Sequence, residues 1–320
     1  MISKKKKTLI SVIVPCFNET ENIKLLYERV TEVFKNLSNF TFEIIYVDNA
    51  STDSSEKIIN KLAIKDNKVK AIFMSRNFGS PQPSFIAGLE YSRGEAAVFL
   101  HGDIQDPPEL IPQFIQKWLS GYDVIYGVRT SREGYNLVWN FFYKVFYLIL
   151  NKLAYIEIPL NSGEFSLMSK RAYTELLKLE ENDYYLRCLR AFVGFKQVGV
   201  PYVRSARLHG KSTENFFTGL WWAKTILVNF SFKPLEWISL LAFSVMLLTF
   251  LLIVINLIWI IIYHDSPRGV PTIVILVLFL GGIQLLSLSV IAEYLARIFL
   301  EVKKRPRYII RKIINLPKGV

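Results

Sequence analysis

The sequence predicts an α/β domain with a mainly parallel, Rossmann-like sheet, followed by a hairpin of two transmembrane helices. Apolar strand-like segments alternate with helix-like segments between residues 9 and 129, which is the pattern of repeated βαβ units. Two later segments, 238–263 and 271–292, contain no charged residue, and each is long enough to cross a hydrocarbon core of about 30 Å. The hydrophobic content of 51% and the mean hydropathy of +0.27 agree with a globular domain joined to membrane spans.

The βαβ region divides into five strands and four helices. We predict strands at 9–14, 42–47, 69–74, 97–100 and 123–127, and helices at 19–37, 54–64, 84–92 and 108–119. Parallel sheets of this kind are covered by helices on both faces and bind ligands at the carboxyl ends of their strands. Functional residues are therefore expected directly after the strands.

Polar clusters follow three of these strands and are expected to converge at one edge of the sheet. They are PCFNE at 15–19, VDNASTD at 47–53 and HGDIQD at 101–106. Asp103 and Gln105 offer the hard oxygen donors that Mg²⁺ and Mn²⁺ prefer, whereas Asp106 is expected to cap the helix that Pro107 and Pro108 open. The alternative is that these clusters are ordinary turn and N-cap residues.

The formal net charge of +12 and the pI of about 9.5 indicate anionic partners. Because the basic residues lie beside the apolar spans and no nucleic-acid recognition motif is present, we expect a lipid bilayer and phosphate-bearing substrates, not nucleic acid.

Cys16 and Cys188 are too few for a disulfide scaffold and favour a reducing cytosolic location. The apolar segment after Lys4–Lys7 is broken by Pro15, so it is interpreted as a strand and not as a secretory signal.

Aromatic segments accompany the two spans. Residues 135–158 are expected to form a helix on the membrane surface or, alternatively, an ordinary core helix, and the aromatic residues of 214–237 to form amphipathic juxtamembrane helices. The loop between the spans holds one basic residue, whereas the segment 296–320 holds many. The positive-inside rule therefore places domain 1–213 and a basic tail, 296–320, in the cytoplasm, in a multi-pass protein of the inner (plasma) membrane. The alternative for the two spans is a pair of buried helices in a large soluble core.

Eight stretches carry a family resemblance: SVIVPCFNETENI, YVDNASTDSS, MSRNFG, GDIQDPPELI, GVRTSR, GEFSLMSKRAY, RSARLHGKS and RPRYII. In order and spacing, and with the terminal hairpin, the chain resembles the membrane-bound polyprenyl-phosphate glycosyltransferases of glycosyltransferase family 2. This family includes bactoprenol glucosyltransferases and dolichol-phosphate mannose synthase. The resemblance implies a GT-A type domain that transfers a sugar from a nucleotide sugar, here expected to be UDP-glucose, to polyprenyl (undecaprenyl) phosphate with inversion. It also suggests a homo-oligomer assembled through the membrane helices.

The resemblance further implies roles for individual residues. Those expected to line the nucleotide pocket are Pro15, Phe17, Glu19, Val47, Asp48 and Asn49. Those expected to hold Mg²⁺ or Mn²⁺ are Asp103 and Gln105, with His101 and Gly102 in the places of the first two residues of the family's Asp-Ala-Asp motif. Those expected to act on phosphates or near the reacting centre are Arg129, Arg207, Glu164 and, in the turn after Gly210, Ser212.

Several positions depart from the family pattern. His101 replaces an aspartate but retains an imidazole that can ligate softer divalent ions, Asn49 replaces an aspartate that meets the base, and Glu164 stands where aspartate is usual. The stretch SPQPS follows MSRNFG where Lys-Glu-Ala-Ala is common, and Thr213 replaces a phosphate-facing cation for which Lys211 is the nearest substitute.

Two other functions are compatible with the sequence. These departures could have produced a catalytically inactive membrane scaffold, or the chain could be a processive polysaccharide synthase. Two spans are too few to line a channel within one chain, and no Gln-x-x-Arg-Trp motif is present.

Overall fold

A computed structural model describes residues 7–132, 156, 158–159, 162–181, 185–205, 225, 228, 231–263 and 269–317. These residues belong to two compact units. The first unit contains the described residues up to Ser205 together with 305–317, and the second contains those between Thr225 and Lys304. The chain therefore returns to the first unit after it has formed the second.

One sheet of eight described strands forms the centre of the first unit. The strands are β1 (Thr8–Cys16), β2 (Phe40–Asp48), β3 (Val69–Met74), β4 (Ala96–Phe99), β5 (Val124–Arg132), β6 (Ser162–Ser169), β7 (Gln197–Arg204) and β8 (Ile310–Ile314). Their order is β7-β5-β6-β4-β1-β2-β3-β8. The pairs β1–β2, β1–β4, β2–β3 and β5–β7 are parallel, while β6 and β8 run antiparallel to their neighbours. The prediction of a mainly parallel sheet is confirmed.

The helices of the first unit follow the predicted alternation with slightly different ends. They are α1 (Asn22–Lys35), α2 (Ser55–Lys65), α3 (Gln82–Glu90), a 3₁₀ turn (Pro108–Leu110) that leads into α4 (Ile111–Leu119), α5 (Lys170–Leu177) and α6 (Leu186–Phe192). On α1 the buried residues Ile23, Leu26, Val30 and Val33 recur at helical spacing, as the sequence predicts. They bury one face of the helix in the core beside β1 and β2.

The end of the chain differs from the predicted basic tail at 296–320. Ile310–Ile314 form β8, which pairs antiparallel with β3. Basic side chains on this strand pair with α2: Arg311 lies 2.6 Å from Glu56, and Lys312 donates to Asn60 at 2.9 Å. The isoleucines between these cations make strand pairing favourable. The concentration of basic residues led the sequence interpretation to miss the strand.

The second unit contains two long helices, α7 (Lys233–Tyr263) and α8 (Val270–Val302). Within them, Lys233–Leu252 and Phe279–Val302 are long and apolar enough to cross a membrane, and none of the residues in the most apolar part of either segment is buried. Helices that expose apolar side chains over such lengths are typical of membrane spans. The two described helices therefore associate the protein with a membrane, as the sequence predicts.

An ion pair between the buried Asp123 and the exposed Arg171 fixes the start of β5. The carboxylate of Asp123 accepts two hydrogen bonds from the Arg171 guanidinium and one from Ser169 at 2.8 Å. The hydrogen bonds from Arg171 hold the pKa of Asp123 below its ordinary value. A carboxylate of this kind stabilises the fold above its unfolded-state pKa, and the contribution is lost as the pH falls through the lower folded-state pKa.

We expect Asp123→Asn to lower the melting temperature of the detergent-solubilised protein by about 2–4 °C at pH 7. The difference from wild type should shrink as the pH falls from about 4, the ordinary pKa of aspartate, through the lower pKa of Asp123 in the folded protein, because the carboxylate then becomes protonated. Thermal unfolding across this pH range measures both effects. A difference that stays constant with pH would show that the charge of Asp123 is unimportant.

Candidate active site

The loops after β1 and β2 are joined to each other at the carboxyl edge of the sheet. The backbone N–H of Asn18 donates to the Ser51 hydroxyl at 2.9 Å, and the Asn18 side chain accepts from the Thr52 N–H at 2.8 Å. The Thr20 hydroxyl donates to Asp53 at 2.6 Å. The first two predicted polar clusters are therefore brought together, as expected from parallel strands.

The residues predicted for the nucleotide pocket lie at this edge. Pro15, Val47, Asp48 and Asn49 are buried, whereas Phe17 is 41% exposed at the rim. Glu19 is half-buried and accepts a hydrogen bond from Asn22 at 2.5 Å. Burial raises the pKa of Asp48, although hydrogen bonds from Ser51 oppose that shift.

Asn49 connects the loop after β2 to the loop after β3. Its side-chain amide donates to Asn77 Oδ1 at 3.1 Å, and its carbonyl oxygen accepts from the Phe78 N–H at 3.0 Å. An aspartate at this position could accept but not donate. The amide of Asn49 can therefore make both of these hydrogen bonds, which an aspartate could not.

The third cluster forms a tight turn after β4. Asp103 is 7% exposed, and its carboxylate accepts from the backbone N–H of Gln105 at 3.3 Å. The intervening residue, Ile104, has a φ of 58°, in the left-handed region. Gln105 is also fixed to the residue after β7, because its N–H₂ group donates to the Ser205 carbonyl at 3.4 Å.

The prediction that Asp106 caps the following helix is wrong. Pro107 occupies the cap position of the 3₁₀ turn, and no side chain caps it. Asp106 is fully buried instead and accepts hydrogen bonds from the Tyr202 hydroxyl at 2.5 Å and from Arg204 at 3.2 Å. The other carboxylate oxygen of Asp106 is buried without a hydrogen-bond partner among the described residues. Asp106 therefore joins the turn after β4 to β7.

The oxygen donors of Asp103 and Gln105 fit a divalent cation that is also bound by substrate phosphates. Within the described part of the chain, no three His, Cys, Asp or Glu side chains come together as a metal site. Mg²⁺ is commonly held in proteins by only one or two carboxylates together with phosphates and water, so this sparse donor set is compatible with it. Arg204 lies 3.9 Å from Asp103 and balances part of its charge.

Glu164, on β6, lies in contact with three side chains from separate elements. Its Oε2 is 3.6 Å from His101 Nε2, and its Oε1 is 3.8 Å from Nε of Arg187 on α6. The Gln82 amide, at the start of α3, donates to Oε1 at 3.3 Å. His101, predicted as a metal ligand, therefore pairs with Glu164, and its ring contacts Phe85 edge-on with centroids 5.2 Å apart.

The charges of this group stabilise one another. Burial favours protonation of Glu164, but the charges of Arg187, His101 and Arg129 outweigh it and hold the pKa of Glu164 well below its ordinary value. Burial also opposes protonation of His101, but Glu164, Asp103 and Asp106 outweigh that effect and raise its pKa. Glu164 is therefore an ionised carboxylate at neutral pH.

Two further arginines lie close to Glu164. Arg129 donates to the Tyr202 hydroxyl at 3.4 Å, and a Cβ at Gly163 would lie 2.4 Å from its guanidinium. Arg190 is fully buried and donates to the Gly163 carbonyl at 3.2 Å. Burial lowers the pKa of Arg190 to about 10, so it remains charged at neutral pH. Arg129 and Arg190 therefore add positive charge beside the Glu164 carboxylate.

The sequence interpretation missed Gln82, Arg187, Arg190, Tyr202 and Arg204 as members of this site. The Tyr-x-Arg pattern on β7 places both side chains on one face of the strand, so the sequence could have indicated that these two residues act together. Arg187 and Arg190 are three residues apart on α6, so they share a helix face. The predicted residues Arg207 and Ser212 lie outside the described residues.

The comparisons with known proteins agree with this fold and show the family to which the chain belongs. The model of glycosyl transferase family 2 matches residues 11–177. A prophage-derived bactoprenol glucosyl transferase from Shigella flexneri is 36% identical over 95% of this chain and 97% of its own length. The chain belongs to glycosyl transferase family 2.

Two further relatives extend the similarity over the whole chain. The glycosyltransferase YkcC of Bacillus subtilis is 37% identical over 94% of this chain and 93% of its own length. A prophage bactoprenol glucosyl transferase homolog from Escherichia coli K12 is 34% identical over 95% and 99%. The protein is therefore a glycosyltransferase with a GT-A type domain.

Gly102 permits the close approach of the β4 turn to the end of β1. A Cβ at this position would lie 2.9 Å from the Pro15 carbonyl oxygen and 3.3 Å from the Cys16 sulfur. Because backbone atoms cannot move aside easily, Gly102→Ala is expected to displace Asp103 and to lower the transfer rate by about tenfold or more. Steady-state transfer assays test this prediction. Gly281→Ala is a suitable control, since an added Cβ there meets nothing within 4 Å, and its rate should be unchanged.

Proposed function

We propose that this protein transfers glucose from UDP-glucose to undecaprenyl phosphate at the cytoplasmic face of the inner membrane, with inversion at the anomeric carbon. The observation that carries the proposal is the similarity to bactoprenol glucosyl transferases over nearly the full length of both chains, including the two apolar helices. A lipid-linked acceptor requires an enzyme that is held at a membrane, which these helices would provide. The product is a lipid-linked sugar available for modifying a surface glycan.

The charge of the site supports two phosphate-bearing substrates. Four arginines, Arg129, Arg187, Arg190 and Arg204, lie in one contact network with the carboxylates Asp103, Asp106 and Glu164. Against the effect of burial, Glu164, Asp103 and Asp106 raise the pKa of His101, and this favours its protonated form. Several arginines gathered in one partly buried site favour the binding of anions.

For the donor, Pro15, Phe17, Glu19, Val47, Asp48 and Asn49 would surround the nucleoside, and Gly102 would allow the diphosphate to approach the backbone. Asp103 and Gln105 would hold Mg²⁺ or Mn²⁺. When bound, a divalent cation neutralises charge on the departing nucleoside diphosphate. Asp103, Gln105 and the arginines of the site would fix the diphosphate in the orientation that departure requires.

For the acceptor, Arg129 would bind the lipid phosphate, together with Arg207 and Ser212, which are proposed from the sequence. A phosphate monoester has a second pKa of about 6, so its oxygen is already a competent nucleophile at neutral pH. Glu164 would help to orient the acceptor or stabilise the positive charge that develops on the sugar ring. Catalysis then consists mainly of positioning and charge neutralisation.

The proposal is tested with the purified full-length protein, undecaprenyl phosphate, and a panel of radiolabelled nucleotide sugars with and without Mg²⁺ or Mn²⁺. Metal-dependent transfer of label from UDP-glucose to the chloroform phase is expected. Nucleotide binding without transfer from any donor would favour the inactive scaffold. A ladder of long products on a gel would favour a processive synthase instead.

A further inference from the structure

The carboxylate of Glu164 is held at both of its oxygens. Oε1 accepts from the Gln82 amide at 3.3 Å, and Oε2 lies 3.6 Å from the His101 imidazole. Gln82 is 5% exposed and belongs to α3, His101 follows β4, and Glu164 belongs to β6. These three elements thus converge on one side chain.

The orientation of the Gln82 amide is determined by its second contact. Its Oε1 accepts from the backbone N–H of Leu186, the first residue of α6, at 3.1 Å. A backbone N–H can only donate, so the Gln82 oxygen must face Leu186 and the N–H₂ group must face Glu164. Gln82 therefore connects the start of α6 to the carboxylate of Glu164 in a fixed geometry.

Glutamate has one more rotatable bond than aspartate and loses more conformational entropy when it is held in one position. Contacts at both carboxylate oxygens restrict that freedom. A side chain that is fixed before substrate binds contributes more to the reaction than one that must be ordered during it.

We propose that Gln82 is a positioning residue that holds the longer Glu164 side chain in its working orientation, with His101 as the opposing contact. This inference rests on the proposed function, because it assumes that Glu164 acts on the acceptor phosphate or on the sugar. Gln82 is expected to act only through Glu164.

The test is a double-mutant cycle in the full-length protein with the variants Gln82→Met, Glu164→Gln and their combination. Gln82→Met removes both hydrogen bonds while preserving volume. It is expected to lower kcat about tenfold and to leave the KM for the donor within about twofold of wild type. In the Glu164→Gln background, Gln82→Met should cause no further loss of kcat. The matched control is Gln113→Met on the exposed face of α4, for which no change is expected.

A second variant separates positioning from folding. Gln82→Glu retains an acceptor for the Leu186 N–H but replaces the donor that faces Glu164, so it should lower kcat as well. If Gln82→Met does not unfold cooperatively, the same criteria apply to Gln82→Glu. Wild-type kcat in the variant, losses that add to those of Glu164→Gln, or a change in donor KM alone would overturn the inference. Absence of transfer by the wild-type protein would overturn the proposed function and this inference with it.

Discussion

Replacing Asp103 by asparagine is expected to reduce kcat by about 10²–10³-fold, equivalent to a loss of about 2.7–4 kcal/mol of transition-state stabilisation. Asparagine preserves the acceptor for the backbone N–H of Gln105 but removes the negative charge that would hold a divalent cation. The change should therefore leave the turn after β4 intact while it weakens charge neutralisation on the leaving group. Initial rates of transfer over a range of Mg²⁺ and Mn²⁺ concentrations measure the effect.

A matched control separates this effect from a general loss of stability. Asp66 lies at the end of α2 and accepts a hydrogen bond from the backbone N–H of Lys68, so Asp66→Asn can keep an acceptor for a backbone N–H two residues later, as Asp103→Asn does. Its transfer rate should equal that of wild type. Near-normal turnover by Asp103→Asn with an unchanged metal requirement would show that the cation binds elsewhere.

The sheet and its edge were predictable because they depend on local sequence. Buried strands such as β1 and β4 appear as short apolar runs, and α1 shows helical spacing in Ile23, Leu26 and Val30. Once strand order is parallel, the position of the polar clusters after β1, β2 and β4 follows from geometry. Asp103, Gln105 and Glu164 were identified in this way or by family resemblance.

The partners of these residues were not predictable because they are distant in the chain. Gln82 and Glu164 are separated by 82 residues and Asp106 and Tyr202 by 96. Local rules also favoured the wrong role for Asp106, since an aspartate before two prolines is a common helix cap. In the folded protein, Asp106 is instead buried and accepts hydrogen bonds from Tyr202 and Arg204 of β7. The β8 strand was missed because its basic residues indicated a tail, and because its pairing with β3 is a long-range contact.

Glu164→Gln is expected to lower both the stability of the protein and its kcat. Glu164 is the carboxylate that balances Arg187 and His101, and removing one partner of a buried ion pair costs about 3–5 kcal/mol. Loss of the charge that orients the acceptor or stabilises the sugar should lower kcat by about 10²-fold. Thermal unfolding gives the stability, and transfer assays well below the melting temperature give kcat.

Glu164→Asp distinguishes the effect of the negative charge from the effect of side-chain length. It retains the carboxylate but shortens the side chain by one methylene, so the 3.3 Å contact with Gln82 and the 3.6 Å contact with His101 cannot both be kept. Its melting temperature should lie closer to wild type than that of Glu164→Gln, because the buried charge is still balanced. Its kcat should nevertheless fall by about tenfold, because an unrestrained carboxylate must be ordered during the reaction.

Glu95→Gln, which removes an exposed carboxylate paired with Lys170, should change neither the melting temperature nor kcat. Equal kcat for Glu164→Asp and wild type would show that charge alone, and not its position, is what the reaction requires at this site.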